Sequence, residues 1–357
     1  MPRPETILVF HTAFIGDIVL MLPMIDVLRR SFPQARISVV AIPASASVLR
    51  NNPAIDEIIE YDKKGRDRGV AAALRLARAL KARRFDTAIV PHRSLRSAAI
   101  VRLAGIPVRV GFSTSSGKWF LTETVEYRKD LHEISRDLHL LKPLSVTAPD
   151  RELPQLFPSE DDRGIVERLI AARERDGGGF DRRRMIAVAP GSVWKTKRWP
   201  REKYEDLCRL LLQEGASIVL IGGNDDMPLC REIASGLRDG RVLDATGSLS
   251  LLQSAEMIRR CSVLVSNDSA PLHLGVAVRT PVIAIFGATV PAFGFAPIGA
   301  HDTVVEIVGL KCRPCAIHGG DKCPVRTFDC MMRISPETVL NKVHEVTHVS
   351  DDSGRSR

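Results

Sequence analysis

No run in this 357-residue chain approaches the roughly 18 consecutive apolar residues that a spanning helix requires, and no signal-peptide core follows Met1–Glu5. The expected location is the cytosol, with at most a peripheral contact on the inner face of a membrane. Aromatic residues are only 5% of the chain and no nucleic-acid-binding motif accompanies its basic side chains, so nucleic acid is not an expected partner. Seven cysteines is an odd count in a chain without an export signal, which argues against a disulfide framework. The GxGxxG fingerprint of dinucleotide folds is missing, as is the Walker A order GxxxxGK followed by Ser or Thr. There is no repeat at solenoid periods and no low-complexity tract.

What is present is globular: 45% hydrophobic and 26% charged side chains, in a length that suits two domains. The net charge of +9 is unevenly placed. Residues 1–150 carry 23 Lys and Arg against 15 Asp and Glu, a net +8, whereas 151–357 carry 28 against 27. The first half therefore either meets something anionic or keeps a basic surface for solubility. Apolar runs of strand length alternate with helical patterns throughout. In the first half the strands expected are Thr6–Phe10, Ile37–Ile42, Asp56–Tyr61, Thr87–Pro91 and Val108–Phe112; in the second, Met185–Ala189, Ser217–Ile221, Arg241–Asp244, Val263–Ser266 and Val282–Phe286. Runs this apolar and unalternating are buried on both faces, so the fold class is α/β, two Rossmann-like domains with parallel sheets covered by helices. The boundaries expected are 1–150 and 151–349, with a proline-rich hinge at Pro143–Ser159 and a frayed tail at 350–357. Ligands of such sheets bind beyond the carboxyl ends of the strands, which directs attention to the loops there and to a cleft between the halves.

The first strand runs into His11-Thr12-Ala13-Phe14-Ile15-Gly16-Asp17. Asp17 either caps the following helix or serves as a general base for an acceptor hydroxyl. After Met185–Ala189 comes a loop with hydroxyls at Ser192 and Thr196 and cations at Lys195, Lys197 and Arg198, which reads as a phosphate clamp or a solvated basic loop. Ser266-Asn267-Asp268-Ser269-Ala270-Pro271-Leu272-His273 ends the fourth strand of that half; Asp268 or Ser269 is a natural N-cap, and helix-start N–H groups with His273 can receive a diphosphate. Asn224 and Asp225, after the second strand, suit ribose hydroxyls or a helix cap. No two aspartates are separated by a single residue, so the DxD type of divalent-metal site is absent and charge on a leaving diphosphate falls to Lys, Arg and helix dipoles.

The strand–Gly16-Asp17–helix segment ending Leu22-Pro23, the stretch from Pro190-Gly191 to Lys197-Arg198-Trp199-Pro200, Asn267-Asp268-Ser269 with Leu272-His273, and Phe286-Gly287 spread over most of the chain. On these residues the sequence resembles glycosyltransferase family 9, the lipopolysaccharide heptosyltransferases, and looks most like its heptosyltransferase II members. The resemblance implies a GT-B fold, with the acceptor held by the N-terminal domain and ADP-heptose by the C-terminal one. It also implies inverting transfer without metal or other catalytic cofactor. By position Asp17 becomes the base, Lys197 neutralises the diphosphate, and Asp268, Ser269 and His273 contact the donor; the family's acidic donor-binding position falls on Asn224 or Asp225. Ala270 stands where the family has Gly, and its methyl narrows the space beside the phosphate that the Ala270 N–H would meet. Arg93 and Arg96 are candidates for the acidic inner-core acceptor, or else a basic first turn of a helix. The alternative function is a related GT-B enzyme with another nucleotide sugar, such as a sugar-nucleotide epimerase.

Two features lie outside this pattern. Cys312, Cys315, Cys323 and Cys330 have the spacing C-x2-C-x7-C-x6-C, which reads as a structural zinc site, as packed reduced thiols or as redox-linked disulfides. Arg66–Arg84 places Ala73, Leu76, Ala77 and Leu80 on one helical stripe among arginines and lysines, which either covers a sheet or docks on anionic inner-membrane lipid.

Overall fold

The computed structural model describes residues 3–354, with side chains described to residue 347. Within it the chain divides into two compact units, Met1–Phe157 and Pro158–Arg357. The first unit contains β1 (Thr6–Phe10), β2 (Arg36–Ala41), β3 (Glu57–Glu60), β4 (Thr87–Val90), β5 (Val108–Phe112) and β6 (Glu123–Val125). The second contains β7 (Met185–Ala189), β8 (Ser217–Leu220), β9 (Val242–Asp244), β10 (Val263–Asn267), β11 (Val282–Phe286) and β12 (Thr303–Glu306). All pairings are parallel, in the orders β3-β2-β1-β4-β5-β6 and β12-β11-β10-β7-β8-β9. Counted within its own unit, each sheet has the doubly wound order 3-2-1-4-5-6, which opens a crevice where the winding reverses, at β1/β4 and at β7/β10.

The central strands β7, β10 and β11 are buried at every residue, because helices cover both faces of the sheet. One core cluster joins Val188, Val265 and Ile285 of the second sheet to Leu207, Leu211 and Val343 of flanking helices. In the first unit Leu8, Phe10 and Val90 pack with Ala77, Leu80 and Ile100. The sequence reading passed over β6 and β12, which are short edge strands carrying Glu123 and Glu306, and over the polar helices Glu133–His139 and Glu160–Arg175. Ser159, the last residue of the expected hinge, caps Glu160–Arg175: it accepts from the Asp162 N–H at 3.1 Å, and Asp162 accepts in return from the Ser159 N–H at 2.9 Å. The unit boundary falls beyond residue 150 because the intervening stretch is tied to the first unit, by a bidentate Arg30–Glu152 pair (2.8 and 2.6 Å) and by Asn51 Nδ2 donating to the Phe157 carbonyl at 3.1 Å. The last helix is Pro336–Gly354, so residues 350–354 are helical where a frayed tail was expected; residues 355–357 lie outside those described. No helix among the described residues is long and apolar enough to cross a membrane.

Candidate active site

In the first unit, His11 and Thr12 leave the end of β1 and His92 the end of β4, so these buried and half-buried side chains line the crevice at the winding reversal. The rings of His11 and His92 stand 6.1 Å apart, and His11 Nδ1 lies 3.2 Å from Met21 Sδ. Burial is the main reason both imidazoles are pushed down, His11 to about 3 and His92 to about 4; neighbouring Lys63 adds to each. Both are therefore neutral at physiological pH. Lys63, from the loop after β3, reaches across to donate to the Thr12 carbonyl at 2.5 Å and to Thr12 Oγ1 at 3.2 Å. Its own affinity for a proton is lowered by burial and then by Lys64 and Arg96, so the crevice is electropositive.

Asp17 enters this setting in the first turn of the helix Ile15–Ser31. Its carboxylate accepts from the Phe14 N–H at 3.1 Å, so the capping role is real. The side chain is half-buried. Beneath it the helix Glu133–His139 packs on Ile15–Ser31 and contributes Asp137, which is 1% exposed with neither carboxyl oxygen hydrogen-bonded. Desolvation, followed by Glu133 and Asp17, holds Asp137 well above the usual carboxylate range, which favours its protonated form. Sequence reasoning had no signal for it, since a single Asp in an amphipathic helix reads as solvent-exposed.

Arg93 and Arg96 separate in the structure. Arg93 precedes the helix Leu95–Leu103, is exposed, and lies 4.2 Å over the Tyr127 ring. Arg96 is committed to its own fold, donating to the carbonyls of Asp67 (3.1 Å) and Gly69 (2.8 Å).

In the second unit, Asn267 at the end of β10 fastens the crevice together. Its Nδ2 donates to the carbonyls of Pro190 (2.8 Å) and Gly191 (3.3 Å), and its Oδ1 accepts from the Trp199 N–H at 3.0 Å. The loops after β7 and β10 are thereby brought into contact, and two residues expected to meet a donor meet each other: Lys197 Nζ lies 2.6 Å from Asp268 Oδ2, with the side chains 14% and 7% exposed. Thr289 Oγ1 donates to the same oxygen at 2.6 Å. Lys197 is therefore neutralised by Asp268. The cations left on the loop are exposed Lys195 and half-buried Arg198, whose Nε donates to the Ser192 carbonyl at 2.7 Å. Ser192 is buried. Trp199 anchors the loop from the core, edge-on to Tyr204 at 4.9 Å.

Ser269 occupies the N-cap of the helix Ala270–Ala277 without a side-chain capping bond, Ala270 and Pro271 form its first turn, and His273 is buried one turn on. After β8, Asn224 and Asp225 are exposed, whereas Asp226 turns inward and accepts from the Gly223 N–H at 3.0 Å. The Asp226 carboxylate fills the space where Gly191 would carry a side chain, so Asp226 is the acidic group at the crevice of this unit. The clue in the sequence was the glycine at 191, which leaves room for a neighbour. Thr289, too, was overlooked.

The cysteine segment requires a correction. All seven cysteines are free thiols, and among the described residues no group of three or more His, Cys, Asp or Glu side chains is arranged to hold a metal ion. The expected zinc ligands Cys312, Cys315, Cys323 and Cys330 are not set out as a site. Cys330 is drawn into the apolar cluster with Met331 and Ile334, and the Cys315 thiol donates to the Cys312 carbonyl at 3.4 Å. Burial raises the Cys330 thiol to about 11, with Cys315 a further contributor, so Cys330 is held as a thiol.

The fold has close counterparts among solved structures. The chain is similar to the glycosyl transferase family 9 protein from Veillonella parvula DSM 2008, with TM-score 0.85, 24% identity, and coverage of 96% of this chain and 97% of that one. Against the E. coli ADP-heptose LPS heptosyltransferase II the TM-score is 0.78 at 24% identity, covering 97% and 99%. Two doubly wound units on this plan make the GT-B fold, and the chain is a glycosyltransferase. Residues 73–321 match the profile of glycosyltransferase family 9 (heptosyltransferase), and the chain belongs to that family. Among sequences it is 26% identical to the lipopolysaccharide heptosyltransferase 2 of Salmonella typhimurium strain LT2, over 95% of this chain and 98% of that protein.

Proposed function

We propose that this protein transfers L-glycero-D-manno-heptose from ADP-heptose to the inner core of lipopolysaccharide, with inversion at the anomeric carbon and without a catalytic metal. The observation that carries the reading is the half-buried carboxylate of Asp17, at the winding reversal of the first sheet in a family 9 chain. Asp17 takes the proton of the attacking hydroxyl. The neutral His11 and His92 compete with no substrate charge, while Lys63 and Arg93 attract the carboxylates and phosphates of an inner-core acceptor.

In the donor unit, Lys195, Arg198 and the start of the helix Ala270–Ala277 receive the diphosphate. The Lys197–Asp268–Thr289 network holds that surface in shape, with Ser192, Ser269, His273 and Asp226 bordering it. Because no DxD pair is present, the charge that develops on the leaving ADP is met by these cations and N–H groups. The acceptor is a membrane lipid, which places the enzyme on the cytoplasmic face of the inner membrane. Incubation with ADP-heptose and a heptosylated inner-core acceptor, followed by mass analysis, tests the reading. A product heavier by one heptose with matching ADP release is the expected result; transfer from a different nucleotide sugar only, or epimerisation of the donor, would replace it.

A further inference from the structure

The basic helix that the sequence offered for lipid contact is Val70–Ala82, and its apolar stripe is used up: Ala77 and Leu80 are buried against the first sheet, with Ala73 and Leu76 packed beside them. Other apolar side chains of this unit, the first residue of that helix among them, stand exposed. Phe14 is 50% exposed, Val70 76%, Leu95 52% and Trp119 84%. They come from four different connections, those after β1, β3, β4 and β5, and because every strand is parallel all four leave the same, carboxyl edge of the sheet.

These connections are fastened to one another. Lys63 bonds to Thr12, Arg96 to Asp67 and Gly69, and the Ser116 N–H to the Arg93 carbonyl at 3.3 Å. Gly117 sits so close to the helix Leu95–Leu103 that a side chain there would overlap Ala98, which holds the Trp119 turn against Leu95. Cations accompany the apolar groups: Lys118 Nζ lies 5.0 Å from the Trp119 ring centre and Lys64 Nζ 6.0 Å from that of Phe14. Residues 11–17, 61–69, 91–95 and 113–120 hold six Lys and Arg against three Asp. Those three acids are engaged locally: Asp17 accepts from Phe14, Asp62 from Gly65 and Arg66, and Asp67 from the Asp62 N–H. The exposed charge of this edge is therefore positive, interleaved with Trp, Phe, Leu and Val. That combination matches the interfacial zone of an anionic bilayer, where an indole sits at headgroup depth and lysines pair with lipid phosphates.

We infer that the carboxyl edge of the first sheet is the membrane-docking face, with Trp119, Leu95 and Val70 entering the headgroup region of anionic lipid and Lys118 and Lys64 pairing with its phosphates. The inference rests on the reading of the acceptor as a membrane lipid. It also explains how a sugar at the bilayer surface arrives at Asp17, which shares this edge.

The test is flotation of the full chain with vesicles of phosphatidylcholine alone or with phosphatidylglycerol at about one third. Binding is expected only to the anionic vesicles, with brominated lipid quenching fluorescence that Trp119→Phe no longer shows. Trp119→Ala, and separately Val70→Ser with Leu95→Ser, are expected to weaken vesicle binding by about tenfold or more. These variants should leave turnover on a water-soluble deacylated acceptor unchanged. Full binding by these variants, loss of binding instead on replacing Arg75, Arg78 and Lys81 of the helix, or equal binding to neutral vesicles overturns the inference. Absence of heptose transfer to the soluble acceptor by the wild type would overturn the functional reading instead, and vesicle binding tells the two failures apart.

Discussion

Replacing Lys197 with Met removes a cation paired with Asp268 and tests the structural half of the donor site. Asp268, which is 6% exposed, would keep the Thr289 hydroxyl as a hydrogen-bond donor. Breaking a buried ion pair from one side costs about 3–5 kcal/mol. The lower end applies here, because Thr289 still donates to the Asp268 carboxylate. Asp268→Asn should cost less, about 1–3 kcal/mol, since Lys197 has a flexible stem, is 14% exposed and can turn its ammonium to water. In the double variant neither charge is stranded, so the two effects should fall short of their sum by about 2 kcal/mol. Urea unfolding of the four proteins at pH 7.5 reads these differences. Additive single effects would refute the reasoning.

Other expectations follow from buried titrating groups. Asp137 keeps its proton in the folded state well above the usual range, whereas the unfolded chain releases it near pH 4, so the wild type loses stability as pH rises from there. Asp137→Asn has no proton to lose, and its melting temperature should show a flatter pH dependence between about pH 4 and 7; an unchanged slope would contradict the assignment. His11 and His92 have the opposite sign, since folding lowers both, to about 3 and about 4. Their contribution should be present above about pH 6.5 and fade as pH falls toward the folded values, and His92→Gln should lessen that acid sensitivity in thermal melts. Cys208, Cys230, Cys261 and Cys330 are buried, whereas Cys312, Cys315 and Cys323 are half-exposed. A disulfide-exchange reagent should therefore label no more than these three quickly in the native protein; rapid labelling of more would contradict the packing.

The strands most legible in the sequence were those buried on both faces. Val263–Asn267 and Val282–Phe286 carry no polar alternation to confuse their reading, while β6 and β12, at sheet edges with glutamates in them, lack that signal. The place of Asp17 at the start of the first helix was legible because the end of β1 fixes it locally. What could not be read were encounters across long stretches of chain. Lys197 was expected at the diphosphate and Asp268 at a helix cap or the donor, and the Asn267 link between the β7 and β10 loops shows how they come to meet each other. Asp226 was hidden behind its exposed neighbour Asp225, because the turn Asn224–Asp226 decides which carboxylate faces inward. The cysteine spacing suggested a metal site, but spacing does not reveal that Cys330 packs against Met331 and Ile334 in the core.

Asp17→Asn examines the central claim most directly, because the amide keeps the size of the side chain and removes its capacity to take a proton. With ADP-heptose and an inner-core acceptor, turnover should fall by about 10²-fold or more while calorimetric affinity for the donor stays within about twofold of wild type. Turnover near the wild-type rate would contradict the account and take the base role away from residue 17.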